Sequence, residues 1–334
     1  SLPLDEKLVL LRADFNVPFA ADGNILDDSR IVETLPTIQH ALEEGAKLVI
    51  TSHLGRPKGK PVPSLSLEPV GARLAELLNM DVLFAHSCLG DGPKKLIGDL
   101  RPGQMVLLEN TRFHPEEESN DRRFSEALAK NVDVYVNDAF GTLHRAHAST
   151  AGVAQYVTEK AMGLLVEKEL SVLTKLRENP DPPFIVCLGG AKVSDKIRVI
   201  KGLLPLADGF LIGGAMAYTF LKAKGHAIGE SFFEEKGLFI AEDLLKGFVH
   251  TGKTLLLPTD HICAESITSN KPVNCQSEIP DNLMGLDIGP ETFQTYEREI
   301  LRAKTVFWNG PMGVYEHELF RTGTDKIAKT ISII

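Results

Sequence analysis

Charged and polar side chains that could bind an anion recur in the first half of the sequence. They follow four apolar, strand-like runs, which cover residues 8–11, 48–51, 105–108 and 134–136. Ligands of open parallel sheets bind outside the carboxyl ends of the strands, so we expect these side chains to converge on one site. The members of this anion-binding set are Asp14, Asn16, Arg30, His53, Arg56, Arg112, His144, Arg145 and His147.

The arginines are the most informative members of the set. A guanidinium group is planar and binds a carboxylate or a phosphate through two parallel hydrogen bonds. A single arginine is more often a surface residue with its own carboxylate partner. Several arginines and histidines at the same kind of position favour a site for a small, multiply charged anion. Asp14 and Asn16 add acceptors for a hydroxyl group of that ligand.

Glycine replaces arginine after the apolar runs of the second half, which cover residues 184–188, 210–212, 255–257 and 306–308. Glycines between a strand and a helix allow backbone N–H groups to approach a phosphate at the helix N-terminus. Close packing of a helix on a strand explains such glycines equally well. Neither GxxxxGK[ST] nor GxGxxG is present. The candidate residues of this second set are Gly189, Lys192, Lys196, Gly213, Gly214, Asn309, Pro311 and Glu316.

Two lysines and one glutamate give this second set its chemistry. Lys192 and Lys196 are one helical turn apart, so both can reach the same polyphosphate. The strand ends at 213–214 and 309–311 leave room for a flat base, and Glu316 is spaced to accept hydrogen bonds from ribose hydroxyls. The sequence therefore indicates an anion site in its first half and a nucleotide site in its second.

The composition excludes several other classes of protein. The chain has 334 residues, of which 43% are hydrophobic and 24% charged, and its net charge is −9. A nucleic-acid partner requires clustered cations, which an acidic chain with scattered cations does not offer. No apolar stretch approaches the roughly 18 residues of a membrane span. We therefore expect small-molecule partners and no nucleic-acid or membrane partner. We also expect a monomer, although the composition does not bear on the oligomeric state.

The cysteines and the first residues bear on the cellular compartment. Four widely spaced cysteines without a CxxC motif favour reduced thiols over disulfides or zinc. The first residues contain no basic region or apolar core of a signal peptide. We expect a cytoplasmic protein, with an organellar form whose targeting segment has been removed as the alternative, because residue 1 is serine. The cysteines are Cys88, Cys187, Cys263 and Cys275.

Segments with a helical period alternate with the apolar runs in both halves. Ile31, Leu35, Ile38 and Leu42 fall on one helix face, with Pro36 as a kink or a first-turn residue. Alternating strands and helices form parallel sheets that are covered by helices on both faces. We predict an α/β protein of two doubly wound parallel-sheet (Rossmann-like) domains joined by a helix hinge.

The predicted hinge lies near the middle of the chain. Apolar residues at helical spacing within 161–179 form one amphipathic helix, and a proline-rich segment at 178–183 closes it. We therefore predict an anion-binding domain over residues 1–160, an interdomain helix and hinge over 161–183, and a nucleotide-binding domain over 184–334.

Long strings of these residues resemble the phosphoglycerate kinase family. The resemblance runs from residue 8 to the last residue, and chance agreement over so many strings is negligible. The strings are Arg-Ala-Asp-Phe-Asn-Val-Pro at 12–18, Ser-His-Leu-Gly-Arg-Pro-Lys-Gly at 52–59, Asn-Asp-Ala-Phe-Gly-Thr at 137–142, His-Arg-Ala-His at 144–147, Leu-Gly-Gly-Ala-Lys-Val at 188–193, Gly-Leu-Asp-Ile-Gly-Pro at 285–290 and Phe-Trp-Asn-Gly-Pro-Met-Gly at 307–313.

The resemblance implies a reaction and a role for each matching residue. The reaction is reversible phosphoryl transfer between 1,3-bisphosphoglycerate and ADP, giving 3-phosphoglycerate and ATP, with Mg²⁺ carried on the nucleotide. Arg30 and Lys192 are the expected catalytic residues, and the ionised carboxylate of the substrate needs no general base. The 3-phosphoglycerate site matches Asp14, Asn16, Arg30, His53, Arg56, Arg112 and Arg145. The nucleotide site matches Gly189, Lys192, Lys196, Gly213, Gly214, Gly285, Asn309, Pro311 and Glu316.

One departure from the family's pattern concerns the last residues. In the family, the final strand, here 330–334, leads into a GGGD[ST] loop that cradles the nucleotide phosphates and supplies an aspartate that contacts Mg²⁺. The sequence stops before that loop, so we expect a nucleotide domain truncated at its C-terminus. The alternative function is a catalytically impaired module that binds nucleotide and anion. A nicotinamide dehydrogenase is disfavoured because GxGxxG is missing.

Overall fold

The computed structural model describes residues 2–334, which form two compact units. Unit 1 is Ser1–Val172 and unit 2 is Leu173–Ile334. Helix α7 (Leu164–Glu178) runs across the boundary between them and ends just before the proline-rich segment. No helix within residues 2–334 is both long enough and apolar enough to span a membrane.

Unit 1 contains a sheet of six parallel strands in the order β3-β4-β2-β1-β5-β6. The strands are β1 (Leu8–Arg12), β2 (Lys47–Thr51), β3 (Leu83–Ala85), β4 (Met105–Leu108), β5 (Val134–Asn137) and β6 (Glu159–Met162). All four predicted strands of this half are confirmed. The two edge strands were not predicted, because β3 has only three residues and β6 contains no apolar run.

Helices cover both faces of this sheet. Val9 and Leu11 of β1 pack into one core, whereas Leu10 packs into a second core on the opposite face. This alternation explains why the strands are apolar at successive positions. The helices are α1 (Ser29–Val32), α2 (Leu35–Glu43), α3 (Glu68–Leu78), α4 (Asp91–Gly98), α5 (Pro115–Glu118) and α6 (Arg122–Leu128).

The helix face predicted from residue 31 to residue 42 is divided between α1 and α2. Pro36 lies in the first turn of α2, one of the two positions predicted for it. The first turn tolerates proline because its backbone nitrogens have no partner within the helix. Ile31 and Ile38 are nevertheless buried in the same core.

Unit 2 contains a sheet of four parallel strands in the order β13-β7-β8-β9. Its helices are α8 (Val193–Leu203), α9 (Met216–Ala223), α10 (Leu238–Thr251), α11 (Pro290–Arg302) and α12 (Thr322–Ile331). The parallel strands are β7 (Phe184–Leu188), β8 (Gly209–Ile212), β9 (Thr254–Leu256) and β13 (Thr305–Asn309). Phe184 and Ile185 enter different cores, so this sheet is also covered on both faces.

A second, antiparallel sheet of three strands in unit 2 was not predicted. Its strands are β10 (His261–Ala264), β11 (Val273–Cys275) and β12 (Met284–Ile288), in the order β11-β10-β12. These strands are short and mix polar with apolar residues, so they give no continuous apolar run. Alternation of strands and helices therefore describes the parallel sheets and not this part of unit 2.

The prediction of a strand at 330–334 is wrong. Residues 330 and 331 belong to the last turn of α12, and 332–334 form no strand. The family's pattern placed its final strand at this segment, which is rich in β-branched residues. However, Ile327 and Thr330 are buried at helical spacing, and the Thr330 hydroxyl donates to the Lys326 carbonyl at 3.0 Å. Burial of one helix face outweighs the local propensity.

Candidate functional site

The anion-binding set of unit 1 lies on segments that follow four neighbouring parallel strands. These strands have the order β4-β2-β1-β5, and their carboxyl ends meet at one edge of the sheet. Asp14 and Asn16 follow β1, His53 and Arg56 follow β2, Arg112 follows β4, and Arg145 follows β5. The fold therefore positions these segments as the sequence predicted.

An ion pair lies at this edge. The carboxylate of Asp14 is almost fully buried and accepts a hydrogen bond from Arg30 Nη1 at 2.6 Å. Arg30 lies on α1 and its side chain is 50% exposed, so part of the guanidinium stays open to a ligand. Because its partner is buried, this pair holds the guanidinium more firmly than a fully exposed pair would.

Asn16 and Arg112 fix the loop that follows β2. The Asn16 Oδ1 atom accepts from the Gly55 N–H at 2.8 Å, and Arg112 Nη1 donates to the Gly55 carbonyl at 2.8 Å. Gly55 has φ +59°, a left-handed conformation that favours glycine. Arg112 is buried, and its Nε lies 3.3 Å from Glu118 Oε1 without forming a hydrogen bond. Two predicted ligand-binding residues thus also hold the loop in place.

His53 is neutral in this environment. It is 2% exposed, and burial lowers the pKa of its imidazole to about 2. Four guanidinium groups contribute to this lowered pKa, because a charged imidazole would be repelled by each of them. These groups belong to Arg12, Arg112, Arg145 and Arg30.

The remaining members of the set are less enclosed. Arg56 is exposed and Arg145 is half-buried, and neither side chain forms a hydrogen bond or ion pair within residues 2–334. His144 is exposed. His147 lies with its Nδ1 4.0 Å from Glu117 Oε1, and burial lowers the pKa of its imidazole. The structure therefore places His147 beside a buried carboxylate rather than at the Asp14–Arg30 pair.

Sequence reasoning missed three buried residues behind this edge. Arg12 is the last residue of β1 and is 1% exposed, and Glu117 and Ser149 are fully buried near it. Arg12 was detectable, because a charged residue ends an apolar run there. Glu117 was not detectable, since the sequence does not show that Ser149, 32 positions away, donates to it.

The glycine edge of unit 2 is built from closely packed backbone. The Gly190 N–H donates to the Pro311 carbonyl at 3.1 Å, and the Gly214 N–H donates to the Met312 carbonyl at 2.8 Å. A Cβ atom on Gly189 would lie 1.9 Å from the Pro311 oxygen, and one on Gly213 would lie 2.3 Å from the Met312 sulfur. Close packing therefore accounts for these glycines, and it makes the edge a surface of backbone atoms.

Glu234 occupies part of the N-terminus of α8. Its carboxylate accepts from the Ser194 N–H at 3.0 Å and from the Ser194 hydroxyl. Burial opposes ionisation, but these hydrogen bonds outweigh it and lower the pKa of Glu234. Lys192, at the N-cap of α8, is exposed, whereas Lys196 contacts the side-chain oxygen of Asn309. The Lys192 side chain, rather than the Ser194 N–H, is thus available to phosphates.

Gly285 and Glu316 complete the second set. Gly285 lies on β12, where its N–H donates to Ser231 Oγ at 2.9 Å and a Cβ atom would lie 2.0 Å from the Tyr218 hydroxyl. Glu316 is exposed and forms no ion pair or side-chain hydrogen bond within residues 2–334. The Val314 N–H donates to the Leu286 carbonyl at 2.8 Å, which ties the loop after β13 to β12.

Two α/β units, one with an edge of arginines and one with an edge of glycines and lysines, fit the class of enzymes that transfer a phosphoryl group between small molecules. A family model described as phosphoglycerate kinase matches residues 1–333. Phosphoglycerate kinase of Anaeromyxobacter dehalogenans (strain 2CP-1 / ATCC BAA-258) is 52% identical over 336 residues, which cover 99% of this chain and 85% of the relative. The relative from Koribacter versatilis (strain Ellin345) is 49% identical, with 99% and 84% covered.

Solved structures agree with these relatives. Phosphoglycerate kinase from Coxiella burnetii superimposes with a TM-score of 0.85 at 39% identity, covering 99% of this chain and 84% of the other. The enzyme from Pyrococcus horikoshii OT3 gives a TM-score of 0.85 at 32% identity, with the same coverage. The chain belongs to the phosphoglycerate kinase family. The resemblance seen in the sequence strings and the predicted α/β fold class are both confirmed.

Proposed function

We propose that this chain carries out the family's phosphoryl transfer between 1,3-bisphosphoglycerate and ADP with the two residue sets described above. The observation that carries the proposal is the ion pair of buried Asp14 with Arg30, beside buried Arg112 and neutral His53 at one sheet edge. Such a set suits a small ligand with a phosphate, a carboxylate and a hydroxyl. No observation favours the alternative of a module that binds without turnover.

Unit 1 binds 3-phosphoglycerate in this proposal. Arg56, Arg112 and Arg145 supply the guanidinium groups for the anionic ends of the substrate, and each charge-assisted hydrogen bond contributes about 1.5–3 kcal/mol. Asp14 and Asn16 carry oxygens that accept from the substrate hydroxyl. Because Asp14 and Arg112 are buried and already held by protein partners, little ordering is left to occur when the ligand binds.

Unit 2 binds the nucleotide in this proposal. The backbone at Gly189 and Gly214 lies next to Pro311, Gly213 lies against Met312, and a flat base can rest on the glycine backbone of this surface. Glu316 is exposed and has carboxylate oxygens for ribose hydroxyls. Gly285 has no side chain and so allows β12 to pack closely against Tyr218, and this packing forms one wall of the proposed nucleotide site.

Arg30 and Lys192 act on the transferred phosphoryl group in this proposal. Phosphoryl transfer requires little covalent work from the protein, so positioning and positive charge around the equatorial oxygens carry the catalysis. Both side chains have exposed charged ends, and Arg30 is oriented by Asp14. The attacking carboxylate of the substrate is already ionised, so no side chain has to accept a proton.

Magnesium enters this proposal with the nucleotide. Within residues 2–334, no group of three or more histidine, cysteine, aspartate or glutamate side chains is arranged to hold a metal ion. Mg²⁺ usually keeps several waters and binds through substrate phosphates with one or two carboxylates, so a dedicated protein cage is not required. Bound to the phosphates, it neutralises their charge. We assign no residue of this chain as its ligand.

Helix α7 and the proline-rich segment after it are the proposed hinge. Transfer requires the reacting groups of two separately bound substrates to meet with water excluded. We expect small-angle scattering to give a smaller radius of gyration with both ligands than with either alone. An unchanged radius would remove the reason for assigning a hinge to residues 161–183.

The proposed compartment is the cytoplasm and the proposed state is a monomer. All four cysteines are free and buried, which supports a reducing compartment. Light scattering with mass determination tests the oligomeric state, and a stable dimer would contradict it.

Calorimetry on the two ligands separately tests the assignment of the sites. Arg145→Ala should weaken 3-phosphoglycerate binding by about 2 kcal/mol, the contribution of one charge-assisted contact, and leave ADP binding unchanged. Arg122→Ala is the matched control, because Arg122 is an exposed arginine of unit 1 whose partner is Glu126. Equal losses for both ligands, or equal effects of the two variants, would contradict the assignment. A parallel assay of ATP formation tests the reaction itself.

A further inference from the structure

A chain of buried polar groups connects Glu117 to His53. Arg12 Nε donates to Ser149 Oγ at 2.7 Å, and the Ser149 hydroxyl donates to Glu117 Oε1 at 2.6 Å. At its other end, Arg12 Nη2 lies 3.2 Å from His53 Nδ1. The Ser149 N–H also donates to Glu117, at 2.9 Å. A buried arginine and a buried glutamate are thus bridged by one serine.

The chemistry of these groups fixes the direction of every hydrogen bond. A guanidinium group has only donors, so His53 Nδ1 must be the acceptor. A serine hydroxyl has one proton, and Ser149 gives it to Glu117, which leaves a lone pair for Arg12 Nε. The neutral imidazole then carries its proton on Nε2.

Asp14 does not favour the other tautomer. Its Oδ1 atom lies 3.9 Å from His53 Nδ1, beyond hydrogen-bond distance, whereas Arg12 is at 3.2 Å. The Asp14 carboxylate is instead engaged by Arg30 at 2.6 Å. Within residues 2–334, no group forms a hydrogen bond with His53 Nε2, so this N–H is free for a ligand.

We infer that Arg12, Ser149 and Glu117 are positioning residues, which fix His53 as a neutral imidazole that offers its Nε2–H as a hydrogen-bond donor to a substrate oxygen. The inference rests on the proposed function for the identity of the substrate. It goes further by assigning roles to three residues that do not touch the ligand and by stating which nitrogen of His53 does.

The charges around His53 favour an imidazole that stays neutral and donates its hydrogen bond without titrating. The positive groups that surround it are four arginines on separate segments, and Asp14 is the one carboxylate within 4 Å of its Nδ1 among the described residues. These arginines are Arg12, Arg112, Arg145 and Arg30. They disfavour an imidazolium, and burial acts in the same direction. A neutral donor keeps the same hydrogen bond over the whole physiological pH range.

Nitrogen-15 NMR of the histidine rings tests the inference directly. In the wild-type protein we expect His53 to show an unprotonated Nδ1 and a protonated Nε2, with no titration between pH 5 and pH 8. The spectrum of His53→Gln, which lacks one of the ten histidine signals, assigns the resonance. A protonated Nδ1, or titration within that range, would overturn the inference.

Ser149→Ala tests whether the buried chain positions the ring. We expect a mixture of His53 tautomers and a KM for 3-phosphoglycerate raised roughly two- to tenfold, as for one lost hydrogen bond, with the KM for ATP unchanged. Ser125→Ala is the matched control, because Ser125 is also a buried serine of unit 1 but donates to the Asp121 carbonyl at 2.8 Å. Equal changes in both variants would show a general packing effect and contradict the positioning role.

A second pair of variants keeps the test independent of Ser149. The side-chain amide of glutamine places its NH₂ near the position of histidine Nε2, whereas that of asparagine places it near Nδ1. We therefore expect His53→Gln to retain more affinity for 3-phosphoglycerate than His53→Asn, and the reverse order would overturn the inference. If 3-phosphoglycerate shifts no His53 signal while the Nε2–H tautomer is observed, the proposed substrate fails and the tautomer assignment stands.

Discussion

The carboxyl edges of the two parallel sheets are constructed in opposite ways. In unit 1, side chains fill the edge, and buried charges such as Asp14 and Arg112 are held by hydrogen bonds with neighbouring segments. In unit 2, backbone fills the edge, and loops pack so closely that Gly189 has no space for a methyl group. The same topological position thus supports one site made of side chains and another made of main chain.

This difference determines what each edge can recognise and tolerate. Guanidinium and imidazole groups bind small, highly charged ligands through directed hydrogen bonds, and one such side chain can be removed while the backbone stays in place. A backbone surface offers shape and few charges, which suits a flat base, and it depends on the absence of side chains. We therefore expect substitutions in unit 1 to affect binding and those at the glycines of unit 2 to affect folding.

The largest expected effect is that of Gly189→Ala. The new methyl group would meet the Pro311 carbonyl oxygen at 1.9 Å, and backbone cannot move aside as a flexible side chain can. We expect the free energy of unfolding of unit 2 to fall by about 3 kcal/mol or more, at the upper end of overpacking. Denaturation followed by the fluorescence of the single tryptophan, Trp308, measures it.

Gly202→Ala is the matched control for this substitution. Gly202 lies in α8 of the same unit, and a Cβ atom there would meet nothing within 4 Å. Alanine in an open helical position stabilises by up to about 1 kcal/mol relative to glycine. A destabilisation of similar size in both variants would show that the close packing at Gly189 does not decide the result.

The next effect concerns the rate of transfer. In Arg30→Ala, a cation directed at the transferred group is lost, and we expect kcat to fall on the order of a hundredfold while KM changes little. Lys192→Ala should behave in the same way from unit 2. Arg73→Ala is the control, since Arg73 pairs with Asp28 and Glu76 outside the anion-binding set. A rise in KM alone would assign both residues to ground-state binding.

The sequence predicted the elements that are apolar and continuous. The strands at 105–108 and 184–188 have the predicted bounds, because a strand covered on both faces is apolar at every position. The antiparallel strands of unit 2 were missed because they alternate polar with apolar residues over three to five positions. Short strands carry too few residues for periodicity to identify them.

Prediction from the sequence was also limited for the candidate site. Position after a strand was enough to select Asp14, His53 and Arg112 as neighbours, since topology alone brings strand ends together. It could not reveal that Arg12 and Ser149 are in contact, because 137 positions separate them. Nor could it show that Glu234 occupies the N-terminus of α8, which depends on how a later loop folds back.

The smallest expected effect is a dependence of stability on pH, which has opposite signs in the two units. His53 has its pKa lowered to about 2 by burial, so below pH 6.5 the unfolded chain binds a proton that the folded chain does not. Its contribution to stability is therefore complete above pH 6.5 and lost as the pH falls. Asp287 has its pKa raised to about 7 by burial, although the N–H groups of Gly323 and Ile288 donate to it.

Asp287 should therefore act in the opposite direction from His53. The folded chain binds the extra proton between about pH 4 and pH 7, so this contribution is present at low pH and lost as the pH rises through 7. Relative to His53→Gln, the wild type should lose stability on going from pH 6.5 to pH 5, by at most roughly 1.4 kcal/mol per pH unit. Relative to Asp287→Asn, it should gain stability over the same interval.

Hydrogen exchange of peptides from β1 and β2 measures the stability of unit 1, and Trp308 fluorescence measures that of unit 2. If the stabilities of both units, each relative to its variant, changed in the same direction with pH, burial would not determine the pKa values of both His53 and Asp287.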